Sequence, residues 1–154
     1  MTPVLNVKDL QVNYHVDEGL VRACDGVSFS LNRGDRLGLV GESGSGKSTT
    51  VLAILRLLQP PGRIDGGQAL LDGVDLFSLS EERMRQIRGA EISMIPQGSM
   101  NSLNPVMRIK NQMIDTMTAH NEDLGRDGAI RRVHELLEMV GLNRQVADMY
   151  PHEL

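Results

Sequence analysis

Residues 38–50 read GLVGESGSGKSTT, and the fold turns on how this stretch is read. The apolar run Leu37 to Val40 leads in; Gly41, Gly44 and Gly46, with Ser43 and Ser45 between them, separate it from Lys47. A short apolar run feeding a Gly/Ser stretch predicts a strand over 37–40 and then a loop of unusual dihedrals, because glycine reaches left-handed φ without steric cost. Beyond the lysine, KSTTVLAILRLL predicts a helix over 47–58, with Val51, Ile54, Leu55 and Leu58 on one face and Pro60-Pro61-Gly62 ending it.

Within that stretch, Gly41-Glu42-Ser43-Gly44-Ser45-Gly46-Lys47-Ser48 fits G-x-x-x-x-G-K-[ST] at every fixed position, with Thr49 following. A phosphate chain is held by consecutive main-chain N–H groups, which needs tight curvature and close approach. The helix that follows aims its positive end at the same anion. Lys47 adds a point charge for the outer phosphates, and the Ser48 hydroxyl is a hard oxygen suited to Mg²⁺. The strand–loop–helix context is the one the motif requires. A small GTPase would need Asn-Lys-x-Asp, which does not occur, and the D-x-x-G at Asp35–Gly38 lies before the loop rather than after it. A nucleoside kinase stays open, since residues 83–88 offer arginines for a lid.

Composition narrows the class. The chain has 154 residues, the scale of one domain, with 40% hydrophobic and 23% charged residues. Its net charge of −4 argues against sequence-independent nucleic-acid binding. Arg83, Arg85 and Arg88, and again Arg126, Arg131 and Arg132, are expected on solvated helix faces. Cys24 is the single cysteine and sits in an alternating run, so it is expected as a small core residue in a reducing, cytosolic protein. No apolar stretch reaches membrane-spanning length, so work at a membrane would go through a partner.

Outward from the loop, residues 4–14 and 20–31 alternate and read as strands. Gly67 to Leu71 reads as a strand ending at an Asp72-Gly73 turn, Ser80 as the N-cap of a helix over 81–88, and Glu91 to Ile95 as another strand. Residues 97–105 (QGSMNSLNP) read as loop. Ile109, Met113, Ile114 and Met117 share one helical face; Ile130, Val133, Leu137 and Val140 share another, with Gly141 as C-cap and 121–125 as connector. Most of Met94, Met100, Met107, Met113, Met117 and Met139 are expected as core filler, a minority as lining of a partner groove.

Several of these segments, in order, resemble the ATP-binding subunit of an ABC transporter. VRACDGVSFSLNRGDRLGLVGESGSGKST resembles the family's entry into its phosphate loop; MIPQGSMNSLNPVM resembles the Q-loop region of the oligopeptide/dipeptide importer branch, which nickel importers share; YPHEL resembles the run into the Leu-Ser-Gly-Gly signature. Gly98-Ser99 replace the branch's usual Asp-Pro, and Pro96 a usual aromatic. The resemblance implies an α/β fold: the N-terminal part of a P-loop NTPase, with an antiparallel β subdomain, an incomplete core sheet and a helical subdomain. It divides as 1–96, a 97–105 linker and 106–154.

It also implies roles. Tyr14 matches the aromatic position that stacks on adenine, where a ring's π face holds a base without base-specific hydrogen bonds. Gln97 matches the Q-loop glutamine, with a catalytic role at Mg²⁺ or at the attacking water. The implied cofactors are ATP and Mg²⁺. The implied partners are a second ABC ATPase subunit, membrane permease subunits and, indirectly, an extracytoplasmic solute-binding protein, all reached from the cytoplasmic face as a peripheral subunit; no nucleic acid is implied.

Leu154 would open the signature, so that motif, the second acidic motif and the switch histidine are not in the sequence. The expectation is therefore ATP binding with negligible hydrolysis by the chain alone, and an apolar edge at 37–40 that lowers its stability. A nucleotide-binding remnant or regulatory module without a transport role is the alternative.

Overall fold

A computed structural model describes residues 2–120 and 124–154. The chain divides into two compact units, Met1–Ser93 and Met94–Leu154.

The first unit is built on a four-stranded antiparallel sheet of order β2-β1-β3-β4, from β1 (Leu5–Val16), β2 (Gly19–Leu31), β3 (Gly62–Leu71) and β4 (Val74–Asp75). β1 and β2 form a hairpin closed by Val16 opposite Gly19. Leu5, Val7, Leu10 and Val12 of β1 are buried, a pattern that slips by one residue after Val7. The slip is a β-bulge: register shifts between Val7 and Leu10, and Asp9 adopts φ 47. The Asp9 amide, diverted from the ladder, donates to Ser28 Oγ at 2.8 Å. The bulge thus keeps one apolar face toward the core on both sides of the irregularity.

β3 begins earlier than the sequence pattern suggests. Arg63, Asp65 and Gln68 interrupt its apolar alternation, yet pairing with β1 from Tyr14 onward carries the strand back to Gly62. Asp72 and Gly73, at φ 45 and 86, join β3 to β4 in the two-residue turn expected of Asp-Gly. Ser80 caps α2 (Glu81–Ile87), its hydroxyl accepting from the Arg83 amide at 3.2 Å.

Helix α1 (Lys47–Ile54) packs on β1 and β2 and stops four residues short of the predicted end. Leu57 N–H donates to Leu52 O at 2.8 Å and Arg56 N–H to Ala53 O at 2.9 Å, with Arg56 at φ 53: a Schellman close with arginine where glycine is usual. The Arg56 guanidinium donates to Leu79 O at 2.6 Å, and Arg88 Nε donates to Leu55 O at 2.7 Å. Arg88 therefore does not lie on a solvated face. Its side chain is 20% exposed, spanning the carbonyls at the end of α1 and the Glu81 carboxylate at 2.6 Å. That contact, by its hydrogen bond first and its charge second, holds the Glu81 carboxyl below its ordinary range. Arg83 and Arg85, and the three arginines of the second group, are exposed as expected.

Two expected strands are absent. Residues 37–40 have no regular structure and no strand partner among the described residues. Leu37 and Leu39 are half exposed and Val40 is 95% exposed. Leu37 and Leu39 instead wall a hollow of about 200 Å³ with Leu5, Phe29, Val51 and Ile92. Residues 91–95 reduce to a single parallel bridge, Arg88 to Ile92. Both runs are apolar enough for buried parallel strands, but such strands form only when a neighbour supplies the ladder.

The second unit pairs α3 (Ile109–Ala119) with α4 (Gly125–Met139) around Met117, Val133, Leu137 and Ala147. Gly141, at φ 81, closes α4, with Leu142 N–H on Leu137 O at 2.8 Å. Val140 departs from its expected face and is 70% exposed, because the helix has ended at Met139 and the chain turns there. The methionines are less buried than expected: Met117 is core, Met113 packs against it, and Met139 is 71% exposed. Residues 97–105 are loop around a 3-10 turn at Ser99–Ser102. The Met100 side chain and connector residues 121–123 lie outside the described residues.

Candidate nucleotide-binding site

The glycine-rich loop closes on itself. Ser45 N–H donates to Glu42 O at 3.2 Å, and Gly44 and Gly46 take φ 82 and 85. Gly46 is fixed by more than its dihedral, since a Cβ there would lie 2.4 Å from the Ala23 carbonyl oxygen of β2. At Gly41 a Cβ would lie 2.6 Å from Ser45 Oγ. Side chains at either position would fill the cradle or push it off the sheet. Lys47 folds inward rather than out to solvent. Its ammonium donates to Gly41 O at 2.8 Å, to Glu42 O at 2.5 Å and to Ser45 Oγ at 3.2 Å.

Behind the loop lies an anchor that the sequence does not advertise. The Gly46 carbonyl accepts the Thr50 amide at 2.8 Å and the Thr50 hydroxyl at 2.9 Å. Cys24 Sγ is 3.3 Å from Thr50 Oγ1 and 3.8 Å from Gly46 O. Cys24 and Thr50 are both buried, at 5% and 4% exposure. The start of α1 is thus bolted to the middle of β2. Cys24 is the core residue its alternation implies, but its link to Gly46 spans 22 positions and becomes visible only once β2 and α1 are packed.

The Thr50 amide makes the first intrahelical bond of α1, so the amides of Lys47, Ser48 and Thr49 have no intrahelical acceptor. They sit at the positive end of the helix beside the Lys47 ammonium, an arrangement that suits an anion of several oxygens. Ser48, the second residue of α1, is exposed. Among the described residues no group of three or more His, Cys, Asp or Glu side chains could hold a metal ion. The donors here fit Mg²⁺ only if phosphate oxygens complete its shell, with Ser48 Oγ as the hard protein ligand.

Gly41, Glu42, Ser43, Gly44, Ser45, Gly46, Lys47, Ser48 and Thr49 are therefore brought together by one loop and one helix start. Tyr14 belongs to the same unit, two residues beyond buried Val12 on β1, half-buried and opposite Val21 and Gly62. Next to it, Asn13 Nδ2 donates to Asp65 Oδ2 at 2.7 Å and His15 Nε2 lies 3.0 Å from the same oxygen. The Asn13 bond first, then His15, holds the Asp65 carboxyl below its usual range. Gln97 lies in the second unit, exposed, just before Gly98 at φ 72.

A strand-anchored glycine loop of this kind, followed by a helix opening at its lysine, defines a P-loop nucleotide-binding fold. The particular family follows from comparison: the ABC transporter family model matches residues 24–154, and the chain belongs to that family. It is 43% identical to the oligopeptide transport ATP-binding protein OppD of Bacillus subtilis (strain 168) over 156 residues, covering 99% of this chain and 43% of that protein. It is 42% identical to the dipeptide transport ATP-binding protein DppD of Lactococcus lactis subsp. cremoris (strain MG1363) over 152 residues, covering 97% of this chain and 44% of that protein. The chain thus spans less than half the length of these relatives. Among solved structures it superposes on the dimeric bacterial ABC transporter cassette MJ0796 with a TM-score of 0.83 at 22% identity, over 97% of this chain and 62% of the cassette. A post-hydrolysis state of MJ0796 bound to ADP and Pi superposes with a TM-score of 0.81 at 21% identity. These likenesses establish an α/β ABC ATPase fold.

Proposed function

We propose that this chain supplies the ATP-binding part of a subunit that energises import of peptides across the cytoplasmic membrane. The observation that carries the reading is the inward-folded Lys47 within a loop whose Gly46 is locked to β2. Its peptide branch is supported by relatives named for oligopeptide and dipeptide transport.

The residues divide the work. Main-chain amides from Gly44 to Thr49 take the β- and γ-phosphate oxygens. Lys47 exchanges its Gly41 and Glu42 carbonyl partners for phosphate oxygens, so its charge moves from loop to ligand without the backbone having to rebuild. Ser48 Oγ would hold Mg²⁺, which would supply neutralisation of the phosphate charge when bound. Tyr14 stacks on the adenine. Gln97, on a 97–105 loop that links a nucleotide unit, 1–96, to a helical unit, 106–154, would offer its amide oxygen to the metal or to the attacking water.

In the helical unit Met107, Ile109, Met113, Leu137 and Leu142 line an apolar groove of about 640 Å³. We assign it to a helix of the membrane permease, for which flexible methionines suit a sliding contact. No helix among the described residues is long and apolar enough to cross a membrane. The proposed subunit is peripheral, pairs with a second ATPase subunit as MJ0796 pairs with itself, and meets the solute-binding protein only through the permease.

Affinity purification of the tagged chain from solubilised membranes of its own cells tests this. Recovery with a polytopic permease subunit, reduced by Met113→Glu in the groove, supports it. Recovery from the soluble fraction without any membrane protein contradicts the transport assignment and favours a regulatory nucleotide-binding module.

A further inference from the structure

Tyr14 faces a residue with no side chain. Gly62 is the first residue of β3 and lies directly opposite Tyr14, so both project to the same sheet face. Its φ is not in the left-handed region, and the backbone therefore does not demand glycine there. Space does. A Cβ on Gly62 would lie 3.0 Å from Tyr14 Cε1 and 3.4 Å from Cδ1. One edge of the ring thus leans over the Gly62 Cα, in the close approach that glycine in a strand commonly marks.

The backbone beneath the ring has little room to retreat. Gly62 N–H donates to Gln59 O at 2.9 Å, closing the turn that delivers β3, and His15 N–H donates to Pro61 O at 3.1 Å, tying that turn to β1. The same hypothetical Cβ would stand 3.1 Å from Gln59 O. A methyl group at position 62 is therefore hemmed in by the turn on one side, and the ring is the part free to yield.

Resting on the reading of Tyr14 as the adenine platform, we propose that Gly62 is a positioning residue for base recognition: it sets the height and tilt of the Tyr14 ring, and through the ring the affinity for the adenine base but not for the phosphates. The phosphate cradle takes its position from Ala23, Cys24 and Thr50, whose contacts at the cradle are with Gly46 and, for Cys24 and Thr50, with each other. Base and phosphate recognition are thus set by separate backbone supports, one on β3 and one on β2.

The test is a double-mutant cycle in the full chain, comparing Mg·ATP with magnesium tripolyphosphate, which carries the phosphates and no base. Tyr14→Ala should weaken ATP binding by roughly tenfold, the scale of one base–aromatic stack. Gly62→Ala should weaken ATP binding about threefold or more, with tripolyphosphate binding unchanged within about twofold. Added to Tyr14→Ala, it should cost nothing further, because the ring through which it acts is gone. Wild-type ATP affinity in Gly62→Ala beside a weakened Tyr14→Ala overturns the proposal while leaving the stacking role intact. An equal loss for tripolyphosphate, or a loss that persists without the ring, also overturns it. Unchanged ATP binding in Tyr14→Ala removes the platform reading and the proposal together. Should Gly62→Ala alone not fold, recovery of folding in the Tyr14→Ala background supports the ring contact, and failure of both places the constraint in the Gln59 turn and overturns it.

Discussion

The antiparallel sheet and the segment that enters the phosphate loop are both apolar, yet only one of them forms strands. β1 and β2 are neighbours in sequence, joined by a hairpin, and their ladder closes within about 30 residues of chain. Residues 37–40 carry Leu37, Leu39 and Val40, as apolar as any strand of the sheet, and stay unpaired. A parallel strand cannot be made by its own neighbours in sequence; it needs a partner delivered by a crossover. Strand formation here follows the availability of a partner, not the apolarity of the run. The glycine-rich loop follows residues 37–40 in the chain and is braced by the sheet, through Ala23 and Cys24 of β2.

If that division is right, substitutions should sort by which region they touch. Leu10 is fully buried in the sheet core, and Leu10→Ala should cost about 3 kcal/mol of stability, read from the urea midpoint at constant m. Gly46→Ala puts a side chain at φ 85 against Ala23 O and should cost about 2 kcal/mol while abolishing detectable Mg·ATP binding. Thr50→Val removes the hydroxyl's bond to Gly46 O and its contact with Cys24 Sγ, and should cost about 1 kcal/mol, with a several-fold loss of nucleotide affinity. Val40→Ser, in the unpaired segment, should change stability by less than about 0.5 kcal/mol, as at any exposed site. A large loss at Val40 would show that the segment is paired and would break the comparison.

The smallest effect is electrostatic. The Glu81 carboxyl is lowered chiefly by its hydrogen bond from Arg88, so its contribution is present above its unfolded pKa and fades as pH falls through its lower folded value. Carboxyl titration by NMR should show that lowered midpoint in the wild type and its return toward the ordinary range in Arg88→Met.

Much of this was legible in the residues. The tight glycine turn before α1, the Asp72-Gly73 turn, the Ser80 cap and the Gly141 close each rest on a local rule, and each appears where the sequence puts it. What escaped were features decided by distant chain. The end of α1 depends on Arg56 accepting a left-handed φ, which Leu76, Leu79 and Arg88 make tolerable from 20 or more positions away. The start of β3 depends on β1, not on its own alternation. The Cys24–Thr50–Gly46 anchor needs two elements docked before it exists.

Residues 41–49, braced by β2, are proposed to bind a magnesium triphosphate through main-chain amides. Amide NMR shifts of the full chain during titration with Mg·ATP measure this directly. Saturable shifts are expected at Gly44, Gly46, Lys47, Ser48 and Thr49, lost in Lys47→Ala while the β1–β2 resonances stay in place. Saturable binding that leaves those five amides unmoved, or that survives Lys47→Ala undiminished, would contradict it.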